Sequence, residues 1–82
     1  AQNYPNPFNP TTKISFAIPQ SEMVNITVYD VTGSVAAVIV NKRMDAGNHE
    51  ITFDAAGLSS GVYFYTIKTN NFTSTKKMIL TK

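Results

Sequence analysis

Apolar and polar residues alternate along much of the chain. Ile14, Phe16 and Ile18 are separated by Ser15 and Ala17. Val24, Ile26 and Val28 alternate with Asn25, Thr27 and Tyr29, and Ile51 and Phe53 alternate with Glu50 and Thr52. A period of two places each apolar set on one face of a half-buried strand. The abundance of β-branched residues points the same way. Two stretches are apolar on both faces, Val62-Tyr63-Phe64-Tyr65 and Met78-Ile79-Leu80. The first reads as a central strand. The second reads as a strand partly covered by a neighbouring domain, or as a docking edge.

Turn chemistry divides the chain between these runs. Pro19 to Glu22 closes the first strong strand. Asp30-Val31-Thr32-Gly33 predicts a type I turn in which Asp30 bonds the backbone two residues on and Gly33 takes positive φ. Asp45-Ala46-Gly47 repeats that chemistry, and Asn70-Asn71 predicts a two-residue hairpin with left-handed asparagine. Asp54 to Gly61 is the longest loop, with Leu58 plugging one end of the core. The strands so predicted are 3–8, 12–18, 23–30, 34–41, 48–54, 61–69 and 72–81. Seven short strands with turns about every ten residues predict an all-β, immunoglobulin-like Greek-key β-sandwich. The opening Tyr4-Pro5-Asn6-Pro7-Phe8-Asn9-Pro10 is rich in proline, which removes backbone donors and extends each preceding residue. It predicts an extended edge piece pinned by the Tyr4 and Phe8 rings.

Size and charge narrow the range of functions. At 82 residues the chain is expected to be a single domain, 1–82, with one thin core. It carries 43% hydrophobic and 15% charged residues, a globular composition. Its seven basic residues are spread along the sequence, so no nucleic-acid stripe is expected. There is no cysteine, which excludes disulfides and thiol chemistry. No apolar run approaches the roughly 20 residues of a membrane-spanning helix, and no direct membrane insertion is expected. The start at Ala1-Gln2-Asn3, without a methionine, suggests a processed or excised fragment of something longer.

Catalysis requires converging groups, each oriented by a partner. The one histidine, His49, shares a strand face with Ile51 and reads as a rim residue. Ser59 and Ser60 lack a nucleophile-elbow pattern and read as turn residues. Glu22, Asp30, Asp45, Glu50 and Asp54 are scattered, without the close spacing of a calcium loop. No catalytic residue, metal or cofactor is therefore assigned. Tyr63, Phe64 and Tyr65 suggest a sugar-stacking platform, but alternation sends only one side of the trio outward, and core packing explains them better. Val62 and Phe64 then share an outer apolar patch. Asn25-Ile26-Thr27 and Asn71-Phe72-Thr73 match glycosylation sequons too short to weigh. Lys76 and Lys77 before Met78-Ile79-Leu80 fit either gatekeepers on a last strand or a docking strand that pairs through its backbone.

The series of motifs is familiar. Tyr4-Pro5-Asn6-Pro7-Phe8-Asn9-Pro10-Thr11-Thr12 resembles the opening of the type A C-terminal sorting domains of the type IX secretion system. Val28-Tyr29-Asp30-Val31-Thr32-Gly33 is similar to that family's hairpin. Gly47-Asn48-His49-Glu50, Phe53 to Gly61-Val62-Tyr63, and Lys76-Lys77-Met78-Ile79-Leu80 follow in the family's order. The resemblance implies an immunoglobulin-like domain that directs an N-terminal cargo across the outer membrane and is not itself an enzyme. It implies passage through the periplasm, reading by an outer-membrane translocon, removal by a sortase-like peptidase, and an outer-membrane surface or extracellular destination. It assigns recognition to Lys76, Lys77, Met78, Ile79, Leu80 and Lys82, and structural roles to Tyr4, Pro5, Pro7, Phe8, Asp30, Gly33, Gly61 and Tyr63. Similar openings occur on accessory modules of secreted enzymes, so a carbohydrate-binding or adhesion module, calcium-stabilised in one version, is the alternative. A related sandwich occurs in flagellar hook-capping proteins, but the longer scaffold that reading needs is not in this sequence.

Overall fold

The structure, a computed structural model, describes residues 10–81. These form six strands and no helix: β1 (Thr11–Ile18), β2 (Glu22–Asp30), β3 (Val35–Met44), β4 (Gly47–Asp54), β5 (Gly61–Lys68) and β6 (Thr73–Leu80). The expected piece at 3–8, with Tyr4, Pro5, Pro7 and Phe8, lies outside the described residues, so six strands are seen rather than seven. β1 and β4 make one antiparallel sheet, and the other runs in the order β3-β2-β5-β6. In immunoglobulin terms these are strands B-E facing C′-C-F-G. The chain crosses between the layers after β1, β3 and β4.

Alternation builds the interior. Thr12, Ile14, Phe16 and Ile18 of β1 are buried while Thr11, Lys13, Ser15 and Ala17 are exposed. Ile14, Val24, Ile26, Val28, Tyr65 and Met78 are fully excluded from solvent in a core that spans both sheets. Each such aliphatic side chain contributes roughly 1.5–3 kcal/mol of transfer free energy on burial. Leu58 packs against this core from the β4–β5 loop, held by its N–H donating to the Ala55 carbonyl at 2.9 Å.

Two boundaries differ from the sequence expectation. β3 runs to Met44, three residues beyond the polar Asn41, because Arg43 and Lys42 continue the pairing with Met23 and Val24. Met44 is buried at its end, opposite Glu22. β3 also has register shifts against β2, which leave Ile39 and Ala36 as extra residues on its side of the ladder. Such bulges interrupt alternation and sharpen local twist, which is why Val35 to Val40 is one continuous apolar run.

The turn at Asn70-Asn71 is the other correction. No described residue other than glycine has positive φ. The loop is instead closed by Thr69: its N–H donates to the Phe72 carbonyl at 2.9 Å, and its Oγ1 accepts from the N–H groups of Asn71 at 3.1 Å and Phe72 at 3.2 Å. A threonine hydroxyl competing for local donors offers the backbone a route that needs no left-handed asparagine. At Asp45-Ala46-Gly47 the glycine takes φ +123°, and the Asp45 carbonyl accepts a bond from the His49 ring.

Candidate functional site

The turn after β2 is a dense local network. Asp30 Oδ1 accepts from the Thr32 N–H at 2.9 Å, the Thr32 hydroxyl at 2.6 Å and the Ser34 N–H at 3.1 Å. Gly33 sits at φ +87°, and its N–H donates to the Asp30 carbonyl at 3.0 Å. A side chain there would meet no neighbour, so the constraint is conformational. The Thr32 hydroxyl, helped by the backbone N–H groups and opposed by desolvation, holds the Asp30 carboxyl below the usual aspartate range. This carboxylate serves the turn.

At the start of β5, Gly61 lies opposite Leu80 and Tyr63 opposite Met78. The Tyr63 hydroxyl donates to the Ser59 carbonyl at 2.7 Å. A tyrosine at the beginning of strand F that bonds back to the preceding corner is a recurrent lock of immunoglobulin sandwiches. Ser59 thus takes part through its backbone carbonyl. His49 stacks on Phe16, its cross-strand partner, with ring centroids 5.5 Å apart, and its Nε2–H donates to the Asp45 carbonyl at 2.6 Å. Nearby, Lys13 and Glu50 form an ion pair at 3.7 Å that is more than half exposed on both sides, an arrangement that contributes little. Among the described residues, no three His, Asp or Glu side chains gather where they could hold a metal ion.

The aromatic trio splits as alternation requires. Tyr63 and Tyr65 are buried inward, and Phe64 is half-buried on the outer face of the four-stranded sheet. β6 is the last strand of that sheet among the described residues. Within it Met78 and Leu80 are core, Ile79 is half-buried, Lys77 is exposed, and Lys76 lies half-buried opposite Tyr65. Lys82 lies outside the described residues. Lys77, Ile79 and Thr81 each already take part in an interaction within the chain.

Glu22, which in the sequence reads as the end of a turn and one of five scattered carboxylates, has a structural role. It is 1% exposed. One carboxyl oxygen accepts the Asn70 N–H at 2.9 Å, and the other accepts from Asn71 Nδ2 at 3.2 Å. It therefore clasps the β5–β6 loop, whose strand carries the terminal motif, onto the start of β2. Counting back by two from Val24 would have put it on the inward face. Nothing in the sequence gives the distant partner.

An immunoglobulin-type sandwich whose polar clusters serve turns and corners, and whose last strand combines lysines with apolar residues, has the form of a recognition module. A family model described as the secretion system C-terminal sorting domain matches residues 2–81. The chain belongs to this family, the C-terminal sorting domains of type IX secretion. No curated protein matches it. The family is one of non-catalytic sorting signals that act with the secretion machinery on an attached N-terminal cargo, directing it to the cell surface or beyond.

Proposed function

We propose that this domain carries its cargo from the periplasm across the outer membrane by presenting its terminal segment to the translocon. A sortase-like peptidase then acts on it as a substrate, and the domain itself performs no chemistry. Lys76, Lys77, Met78, Ile79, Leu80 and Lys82 are the proposed recognition segment. The observation that carries the reading is the family match across residues 2–81. The half-buried Ile79 beside the exposed Lys77 on the last strand supports it with a suitable surface. The reading rests on the side chains that β6 displays.

The test fuses residues 1–82 to a periplasm-targeted fluorescent reporter in a host that has the secretion system, beside a translocon-deficient strain. The expected result is reporter on the surface or in the medium of the competent strain only. Removing residues 76–82 is expected to return it to the periplasm. Folded fusion retained in the periplasm of both strains would refute the reading.

A further inference from the structure

Alternation prevents β6 from showing a partner all the residues of its motif. Met78 and Leu80 point into the core at 0% and 1% exposure, so a partner that meets the folded domain does not touch them. Lys77 and Ile79 face the other way. The register fixes their neighbours on that outer face. Phe64 lies opposite Lys77 and Val62 opposite Ile79. Tyr29 lies opposite Phe64, and Val35 opposite Tyr29. An apolar band therefore crosses all four strands, from β3 to β6. Val35 and Val38, at its β3 end, are 60% and 57% exposed. Contiguous exposed apolar surface on a small domain marks an interaction site more often than scattered single residues do.

The charge on this face has one sign. Following the register, the charged side chains that share it are Arg43 opposite Met23, Lys68 opposite Asn25, and Lys77. The carboxylates are all elsewhere. Glu22 is buried, Asp30 is tied into its turn, Asp45 lies between β3 and β4, and Glu50 and Asp54 are on β4. Self-association through a two-fold axis would set these cations against one another, which disfavours a second copy as the occupant. The bulges in β3 also discourage edge-to-edge pairing there.

We propose that the sorting signal is read as this composite sheet face, centred on Val35, Tyr29, Phe64, Val62 and Ile79 with Lys77 at its margin. Its occupant is a surface of the secretion machinery with an apolar centre and a rim of carboxylates. The inference rests on the sorting function proposed above and moves recognition from a linear tail to an epitope assembled from four strands.

The test uses the same reporter fusion with three double variants. Val35→Glu with Val38→Glu, and Lys68→Glu with Lys77→Glu, place acids on the face. Ser15→Glu with Ala17→Glu places them on the exposed side of β1 as a control. The altered residues are solvent-facing, so each variant is expected to melt within about 8 °C of the parent. Export of the first two is expected to fall at least about tenfold, the effect of bringing like charges together at an interface. The control is expected to export as the parent does. Normal export of both face variants would overturn this inference and leave the sorting function standing. Equal loss in the control would also overturn it, because the face would then have no special role. A dimer in sedimentation velocity that Val35→Glu with Val38→Glu dissociates would reassign the face to a second copy. A parent fusion that is not exported at all would instead refute the sorting function.

Discussion

At the scale of single residues, the buried Glu22 carries a large energetic stake. A carboxyl group at 1% exposure has given up its water, and among the described residues the Asn70 N–H and the Asn71 amide replace it. Truncation would remove both hydrogen bonds, which are worth about 1–3 kcal/mol together. Glu22→Ala is therefore expected to lower unfolding free energy in urea by about 2–3 kcal/mol, and Glu22→Gln, which keeps one acceptor oxygen, by about 1 kcal/mol. Equal effects of the two would show that side-chain volume, and not the bonds, matters here. Tyr63→Phe is a cleaner deletion. It removes one hydroxyl from a part-buried bond to the Ser59 carbonyl, and a loss of about 1 kcal/mol is expected. A change too small to measure would mean that the corner holds without its lock.

At the scale of elements, the β2–β3 hairpin turns on a carboxylate that prefers its charged form. The bonds from Thr32 and Ser34 lower the folded-state pKa of Asp30 relative to the unfolded chain. At low pH the unfolded state then binds the proton more readily, so stability falls as pH falls. The contribution is complete above the ordinary aspartate value of about 3.9 and disappears as pH drops through the lower folded value. The Tm difference between parent and Asp30→Ala is expected to be constant from neutral pH to about 5 and to shrink below about 4. A gap unchanged at pH 2 would refute this account.

The elements also show how far the sequence reaches. β1 and β2 were legible from the alternation of Ile14, Phe16 and Ile18 and of Val24, Ile26 and Val28 with more polar neighbours. β5 was legible from the apolar run Val62 to Tyr65, which has buried Tyr63 and Tyr65 on one side and half-buried Val62 and Phe64 on the other. β3 was legible in existence but not in extent. Its extra residues Ile39 and Ala36 break the period, and its polar end at Asn41 to Arg43 hides a pairing that continues to Met44. The Asn70-Asn71 turn misled because asparagine's tolerance of left-handed φ is a permission, and Thr69 supplied a competing closure. That Lys77 and Ile79 share one side of β6 follows from alternation alone, and burial of Met78 and Leu80 makes it the outer side. That Phe64, Tyr29 and Val35 lie beside them follows only from register, which pairs Tyr29 with Phe64 across 35 positions of sequence and is not written in any local pattern.

At the scale of the whole molecule, a thin sandwich makes fold and signal hard to separate. The described chain measures 37 × 23 × 17 Å around one shared core. At typical densities of stability, 82 residues hold about 4–12 kcal/mol in total. Ile26 is fully buried between the sheets, so Ile26→Ala is expected to cost about 2–5 kcal/mol. That is a large share of the total and corresponds to a Tm drop of about 10–30 °C. Ile26 touches no partner in either account of recognition, which makes the variant informative. If the machinery reads a sheet face assembled from β3, β2, β5 and β6, export of an Ile26→Ala fusion must follow the folded fraction. It is then expected to proceed below the variant's Tm and to fail above it, with intact reporter held in the periplasm, while the parent is exported at both temperatures. If the machinery reads the terminal residues as an extended segment, unfolding uncovers Met78 and Leu80, and export persists or rises above the Tm. The sign of the temperature effect therefore separates a folded epitope from a linear tail without altering any residue of either.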